Sequence, residues 1–262
     1  MRALIITALF DIKRDMSGDG RTLDDYLSWF GKTLQLNCDM MVFTESKFVD
    51  FVQESRKDSP NKTFLFVQKF EEIPFYPNNE RMKDILNSDY FKARMKDLNR
   101  IECYLSEYNM IQYSKFGWLE IATQEHSDYD YYFWMDAGCS RFFGEFDLNK
   151  SWPNFDNIKT DKVTIQGNEN FTRMFGSMVV DDYIWDNNSM LVGTLFGANA
   201  QNVERLHDDI SQIFDYCVMS GCVNNEQFAL AIGAKQNPDL FDIKVRLDGT
   251  HLPLFTLLGR NK

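Results

Sequence analysis

"YYFWMDAGCSR", Tyr131–Arg141, sets four aromatics and a methionine ahead of Asp136, then the small residues Ala137 and Gly138. So apolar a run reads as a strand buried on both faces. Its one acid falls at the carboxyl end. In an open α/β sheet, ligands bind in the crevice beyond the carboxyl ends of the strands. Ala137 and Gly138 leave room there for a ligand to approach the backbone. The plainer alternative is that Asp136 caps the turn that follows.

Working outward, "ALIITALF" (Ala3–Phe10) is a second buried run and reads as the first strand. "TLDDYLSWFGKTLQL" (Thr22–Leu36) has helical spacing, with Thr22 as its cap and Asp24 and Asp25 in its first turn. "DMMVFTES" (Asp39–Ser46) and "KTFLFVQKF" (Lys62–Phe70) read as strands around a short helix in "KFVDFVQES". A helical region extends from the prolines of "IPFYPNN" to about Gln124, as one or two helices. Phe142 to Gly167 reads as irregular. "RMFGSMVVDDYIW" (Arg173–Trp185) and "SMLVGTLFG" (Ser189–Gly197) read as two strands of a hairpin around Asp186–Asn188. A helix capped by Asn199 and ended by Gly221 follows, then a helix with Asn224 and Gln227 at capping-box spacing, then a strand in "LFDIKVRL". Strands alternating with helices predict an α/β fold: a mostly parallel mixed sheet flanked by helices, in one domain over 1–262.

Bulk properties narrow the partners. With 262 residues and a formal charge of −11, the surface repels a phosphate backbone on average, so no nucleic acid is expected. A local basic pocket for one small phosphate ligand is still compatible with that balance. Five scattered cysteines fit free thiols in a reducing compartment. The apolar run at the start is too short to span a bilayer, which takes about 20 residues. P-loop, GxGxxG, GxSxG, CxxC…CxxC and HExxH patterns are absent from the sequence.

Two further residues stand out. Lys115 falls seven after Tyr108, on the apolar stripe of Ile101, Leu105, Ile111, Leu119 and Ala122. A lysine facing inward needs a partner, and Asp136 or a pyrophosphate would serve; alternatively its stem lies on the core and its ammonium reaches water. Glu226 falls in the first turn of a helix, where the dipole favours the ionised carboxylate. Such an acid can bind sugar hydroxyls or act as a base, though acids are also common there for stability alone. His251, after the last strand, could turn back to a metal or simply be solvated.

With these residues in view, the sequence resembles the HtrL/YibB family of bacterial glycosyltransferase-like proteins. "ITALFDIKRD" with "YLSWFGKTLQLNCDMMVFTES", "YNMIQYSKFGWLEIATQEHSDYDYYFWMDAG", and "LVGTLFGANAQNVERLHDDI" with "NNEQFALAI" carry the resemblance. It implies a GT-A-like (Rossmann-like) fold, with 1–138 as the nucleotide-binding half and 139–262 as the acceptor-side half. It also implies sugar transfer from a nucleotide-sugar, a UDP-sugar in first place, to a glycan or glycolipid acceptor. The implied setting is surface polysaccharide or lipopolysaccharide synthesis in the cytoplasm, peripheral to the inner membrane face. Thr7, Ala8, Phe10 and Asp11 would frame the base and ribose, Lys115 the diphosphate, and Asp136, Ala137 and Gly138 the donor. Gly193, Gly197, Trp185 and Glu226 would face the acceptor, with Glu226 and Asp136 catalytic, and Trp134 would stack on a sugar. A divalent cation, Mn²⁺ or Mg²⁺, would bind Asp136 and His251. GT-A enzymes carry Asp-x-Asp at the strand end; here the second acid is Gly138, while Asp128 and Asp130 precede the strand. The alternatives are an inactive nucleotide- or carbohydrate-binding protein, and a metal-dependent nucleotide-sugar hydrolase.

Overall fold

The structure is a computed structural model that describes residues 1–17, 20–245 and 252–259. Its centre is a seven-stranded sheet: β1 (Ala3–Leu9), β2 (Asp39–Thr44), β3 (Thr63–Val67), β4 (Tyr131–Met135), β5 (Val163–Gly167), β6 (Leu191–Ala198) and β7 (Phe241–Val245). The order across it is β3-β2-β1-β4-β6-β5-β7. Only β6 runs against its neighbours; β4 and β5 pair with it antiparallel, and the other ladders are parallel. The expected mixed, mostly parallel sheet is therefore present, and it joins both halves of the chain through the β4–β6 ladder.

The helices are α1 (Leu23–Thr33), α2 (Val49–Arg56), α3 (Asn79–Asn87), α4 (Asp89–Arg94), α5 (Ser106–Glu125), α6 (Glu169–Met174), α7 (Val180–Tyr183), α8 (Ala200–Met219), α9 (Glu226–Gln236) and α10 (Pro253–Gly259). Strand periodicity divides the core between the two sheet faces. Leu4, Ile6, Tyr132 and Trp134 pack under α3, α5, α8 and α9; Ile5, Leu9, Tyr131, Phe133 and Met135 pack with α1, α2 and α10. Thr22 caps α1, accepting from Asp25 N at 3.1 Å while the Asp25 carboxylate accepts from Thr22 N at 2.9 Å.

Four expectations are corrected. Arg173–Trp185 is not a strand: it holds the end of α6, a 3-10 turn and α7. Its Val180, Tyr183 and Ile184 are spaced for a helical turn that buries Tyr183 and Ile184. The strand beside β6 is β5, inside the stretch read as irregular; five residues buried on every side show no alternation to mark them. The helical region before Gln124 holds three helices, and α9 is capped by Asn225, which accepts from Gln227 N at 3.1 Å, rather than by Asn224. Asn224 instead donates to the Ile184 and Asp186 carbonyls.

All five cysteines are buried and free. Among the described residues, no helix is long and apolar enough to cross a membrane.

Candidate active site

Residues 132, 134 and 136 point to one face of β4, the face that α5 covers. Asp136 therefore meets α5 at the sheet's carboxyl edge. Its Oδ1 accepts from Trp134 Nε1 at 2.7 Å and lies 3.0 Å from Lys115 Nζ. Lys115, 1% exposed, also donates to Glu226 Oε1 at 2.6 Å and to the Gly193 carbonyl at 3.1 Å. One buried ammonium thus joins two carboxylates from β4 and α9. Burial works against the Lys115 charge, but Asp136 and Glu226 outweigh it and hold its pKa above the ordinary lysine value. Burial pushes the Glu226 carboxyl above the ordinary range, with Lys115 opposing. Glu226 Oε2 is buried without a hydrogen-bond partner.

The turn after β4 is pinned to α1. Thr33 Oγ1 donates to the Ala137 carbonyl at 2.9 Å, and Ser140 Oγ donates to the Trp29 carbonyl at 2.7 Å. Between this turn, the end of β1 and α5 lies a cavity of about 300 Å³. Ala8, Phe10, Asp11, Trp134, Asp136, Ala137 and Gly138 line it, as do Thr194 and Gln227. Two of its lining rings, Phe10 and Trp134, are backed by the buried Trp118, which stacks on Phe10 at 5.5 Å and on Trp134 at 5.7 Å.

The remaining expected site residues lie off the cavity wall. Thr7 is fully buried in β1. Lys115 and Glu226 sit behind Asp136, each 1% exposed. Gly193 and Gly197 are absent from the cavity lining and closely packed. A Cβ at Gly193 would stand 2.0 Å from Glu226 Oε1, and one at Gly197 2.4 Å from the Phe133 ring. Gly193→Ala is accordingly expected to destabilise the fold by about 2–4 kcal/mol, because it drives a methyl into a buried ion pair. Urea unfolding checks this. Trp185 packs against Tyr90 and Phe91, with the Arg94 guanidinium 4.6 Å above its ring. It belongs to the core around α4. His251 lies outside the described residues.

Sequence reasoning missed the cations. Arg14, Arg21 and Arg141 all line the cavity. Arg14 lies over the rings of Tyr26 and Tyr108 at 5.4 and 5.0 Å. Arg141 lies 4.6 Å over Trp29, and its Nε donates to the Gly138 carbonyl at 2.9 Å. Burial and the neighbouring Arg21 and Arg14 push the Arg141 pKa below the ordinary arginine value, with Tyr26 and Asp136 opposing. Arg141 was visible at the end of the opening stretch; nothing local joined it to Arg14 and Arg21.

Asp11 has its own partners. Its Oδ1 accepts from Lys13 N at 3.0 Å, and its Oδ2 from Lys13 Nζ at 2.7 Å and Lys47 Nζ at 2.9 Å. Burial works to raise its pKa, but the two lysines prevail and bring it to about 2. A carboxyl held below its unfolded value adds stability above that value, and loses it as pH falls from about 4 through about 2. Allowing for solvent screening at the exposed lysines, Asp11→Asn is expected to cost about 1–2 kcal/mol at pH 7 and only a small fraction of that near pH 2. Urea titrations across that range test it.

A divalent cation does not fit the described donors. Asp136 Oδ1 already holds Lys115 and Trp134, which leaves a dication only Oδ2, beside the like-charged ammonium. Both Asp11 oxygens are committed, and Gly138 brings no side chain. Among the described residues, no three histidine, cysteine or acidic side chains converge to hold a metal.

The structure of mouse xyloside xylosyltransferase 1 in its apo form is similar, with 10% sequence identity, a TM-score of 0.48, and coverage of 100% of this chain and 95% of that one. No curated protein sequence matches the chain. A family profile described as a bacterial protein of unknown function, HtrL_YibB, matches residues 2–259, and the chain belongs to that HtrL/YibB family.

Proposed function

We propose that this protein is a GT-A-like glycosyltransferase, moving a sugar from a nucleotide-sugar, a UDP-sugar in first place, to a glycan or glycolipid acceptor. The reaction would serve surface polysaccharide or lipopolysaccharide assembly on the cytoplasmic side, with membrane contact made through the acceptor. One observation carries the reading: a cavity at the carboxyl edge of β1 and β4, with the positioned carboxylate of Asp136 on its wall. Base and ribose would lie against Ala8, Phe10 and Asp11, and Asp136 would accept hydrogen bonds from sugar or ribose hydroxyls. Both of its protein contacts fall on Oδ1, and its side chain keeps 27% exposure. Thr194 and Gln227, the neighbours of Gly193 and Glu226, reach the wall and would face the acceptor side. Glu226 would then act as a positioning residue: it holds Lys115, which holds Asp136. The acceptor hydroxyl oxygen bonds to the anomeric carbon as the bond to the diphosphate breaks, its proton leaving with the released diphosphate, and holding acceptor and donor together supplies much of the rate.

A second reading is a nucleotide- or carbohydrate-binding protein without turnover. Gly138 in place of a second acid and the burial of Glu226 favour it. Release of nucleoside diphosphate from UDP-, GDP- and CDP-sugars, with glycan acceptors and with water alone, separates these readings. Release that depends on a glycan supports transfer. Release into water alone makes the protein a hydrolase, and binding without release makes it a binding protein.

A further inference from the structure

Three guanidinium groups reach the cavity from three separate segments: Arg14 from the 3-10 turn after β1, Arg21 from the residues before α1, and Arg141 from the turn after β4. This sets three like charges around one small cavity. It does so in a chain of formal charge −11, where the average surface is acidic. Of the acids that line the same cavity, Asp11 also pairs with Lys13 and Lys47, and Asp136 with Lys115. The rings of Tyr26, Tyr108 and Trp29 hold Arg14 and Arg141 in place by stacking. Arginine presents a planar fork that grips phosphate oxygens bidentately, which is why it recurs at phosphate sites.

We infer that Arg14, Arg21 and Arg141 form a diphosphate clamp that binds the nucleotide donor without a divalent cation. The inference rests on the donor reading above and adds to it the group that takes the place of a metal. Positive charge fixed beside the diphosphate would also stabilise it as a leaving group. The missing second acid at Gly138 then has a physical reason: a dication beside three guanidiniums and the Lys115 ammonium would be repelled.

Isothermal titration calorimetry tests this on the full chain, with inorganic pyrophosphate and with UDP, GDP and CDP in turn, first in EDTA and then in Mn²⁺. The variants are Arg21→Gln and Arg141→Gln. Arg205→Gln, on the exposed face of α8, controls for net charge. The expected result is binding of pyrophosphate and of one nucleotide in EDTA, weakened roughly 10- to 100-fold by either cavity variant and unchanged by Arg205→Gln. Arginine-dependent binding of pyrophosphate alone, with no nucleotide binding tighter, upholds the anion site and defeats the donor reading. A nucleotide that binds only with Mn²⁺, and equally to the arginine variants, overturns the clamp while the donor reading stands. Absence of binding in either buffer overturns the clamp.

Discussion

Lys115→Met is expected to lower stability by about 3–5 kcal/mol, the usual cost of breaking a buried ion pair by removing one partner. The cause is what remains rather than what is lost. Glu226 is 1% exposed, its Oε2 already has no partner, and Lys115 is its ion-pair partner. Without the ammonium, Glu226 must take up a proton or stay charged in the core. At roughly 2–4 °C per kcal/mol for a chain of this size, the melting temperature should fall by about 10 °C. The double variant Lys115→Met/Glu226→Gln should recover at least half of the loss, because a neutral pair leaves no stranded charge. Chemical denaturation of the parent, of Lys115→Met, of Glu226→Gln and of the double variant gives the cycle. A Lys115→Met variant as stable as the parent would contradict the buried pair.

Asp136→Asn is expected to reduce kcat/KM for the nucleotide-sugar by about 100-fold, the scale of a lost charge-assisted contact in a largely dry site. Folding should hardly change. The amide oxygen can still accept from Trp134 Nε1 and Lys115 Nζ, and Lys115 keeps Glu226. Lys115→Met thus reads out mostly as stability and Asp136→Asn mostly as chemistry, though the two side chains are 3.0 Å apart. Steady-state kinetics alongside thermal unfolding check both halves. A variant with unaltered kinetics would remove Asp136 from the donor site.

What the sequence discloses follows from the range of the interactions. The strand ending at Asp136 was legible because burial on both faces writes a continuous apolar run. Lys115 was legible because its place on the stripe implied an inward lysine in need of a partner. Pairing with Asp136 followed from the alternation 132, 134, 136, once α5 lay on that face. Glu226 was placed in the first turn of α9, but its burial against Gly193 was not written locally. It depends on β6 running beside β4. The two glycines of β6 were marked as special, and close approach to Phe133 and Glu226 needs them as surely as a ligand would. The arginines could not be gathered by spacing: Arg14 and Arg141 are neighbours only because β1 and β4 are adjacent in the sheet. β5 was missed and Arg173–Trp185 taken in its place, because a fully buried five-residue strand and a short apolar helical turn carry the same composition.

The central claim is that the cavity beside Asp136 holds the donor. A crystal structure of the protein soaked with UDP-sugar, or with whichever nucleotide binds tightest, tests it most directly. The expected result is density with the diphosphate among Arg14, Arg21 and Arg141, the ribose or sugar within hydrogen-bond distance of Asp136, and the base beside Phe10. Nucleotide bound elsewhere on the molecule, with the Asp136 cavity holding only water, would contradict it.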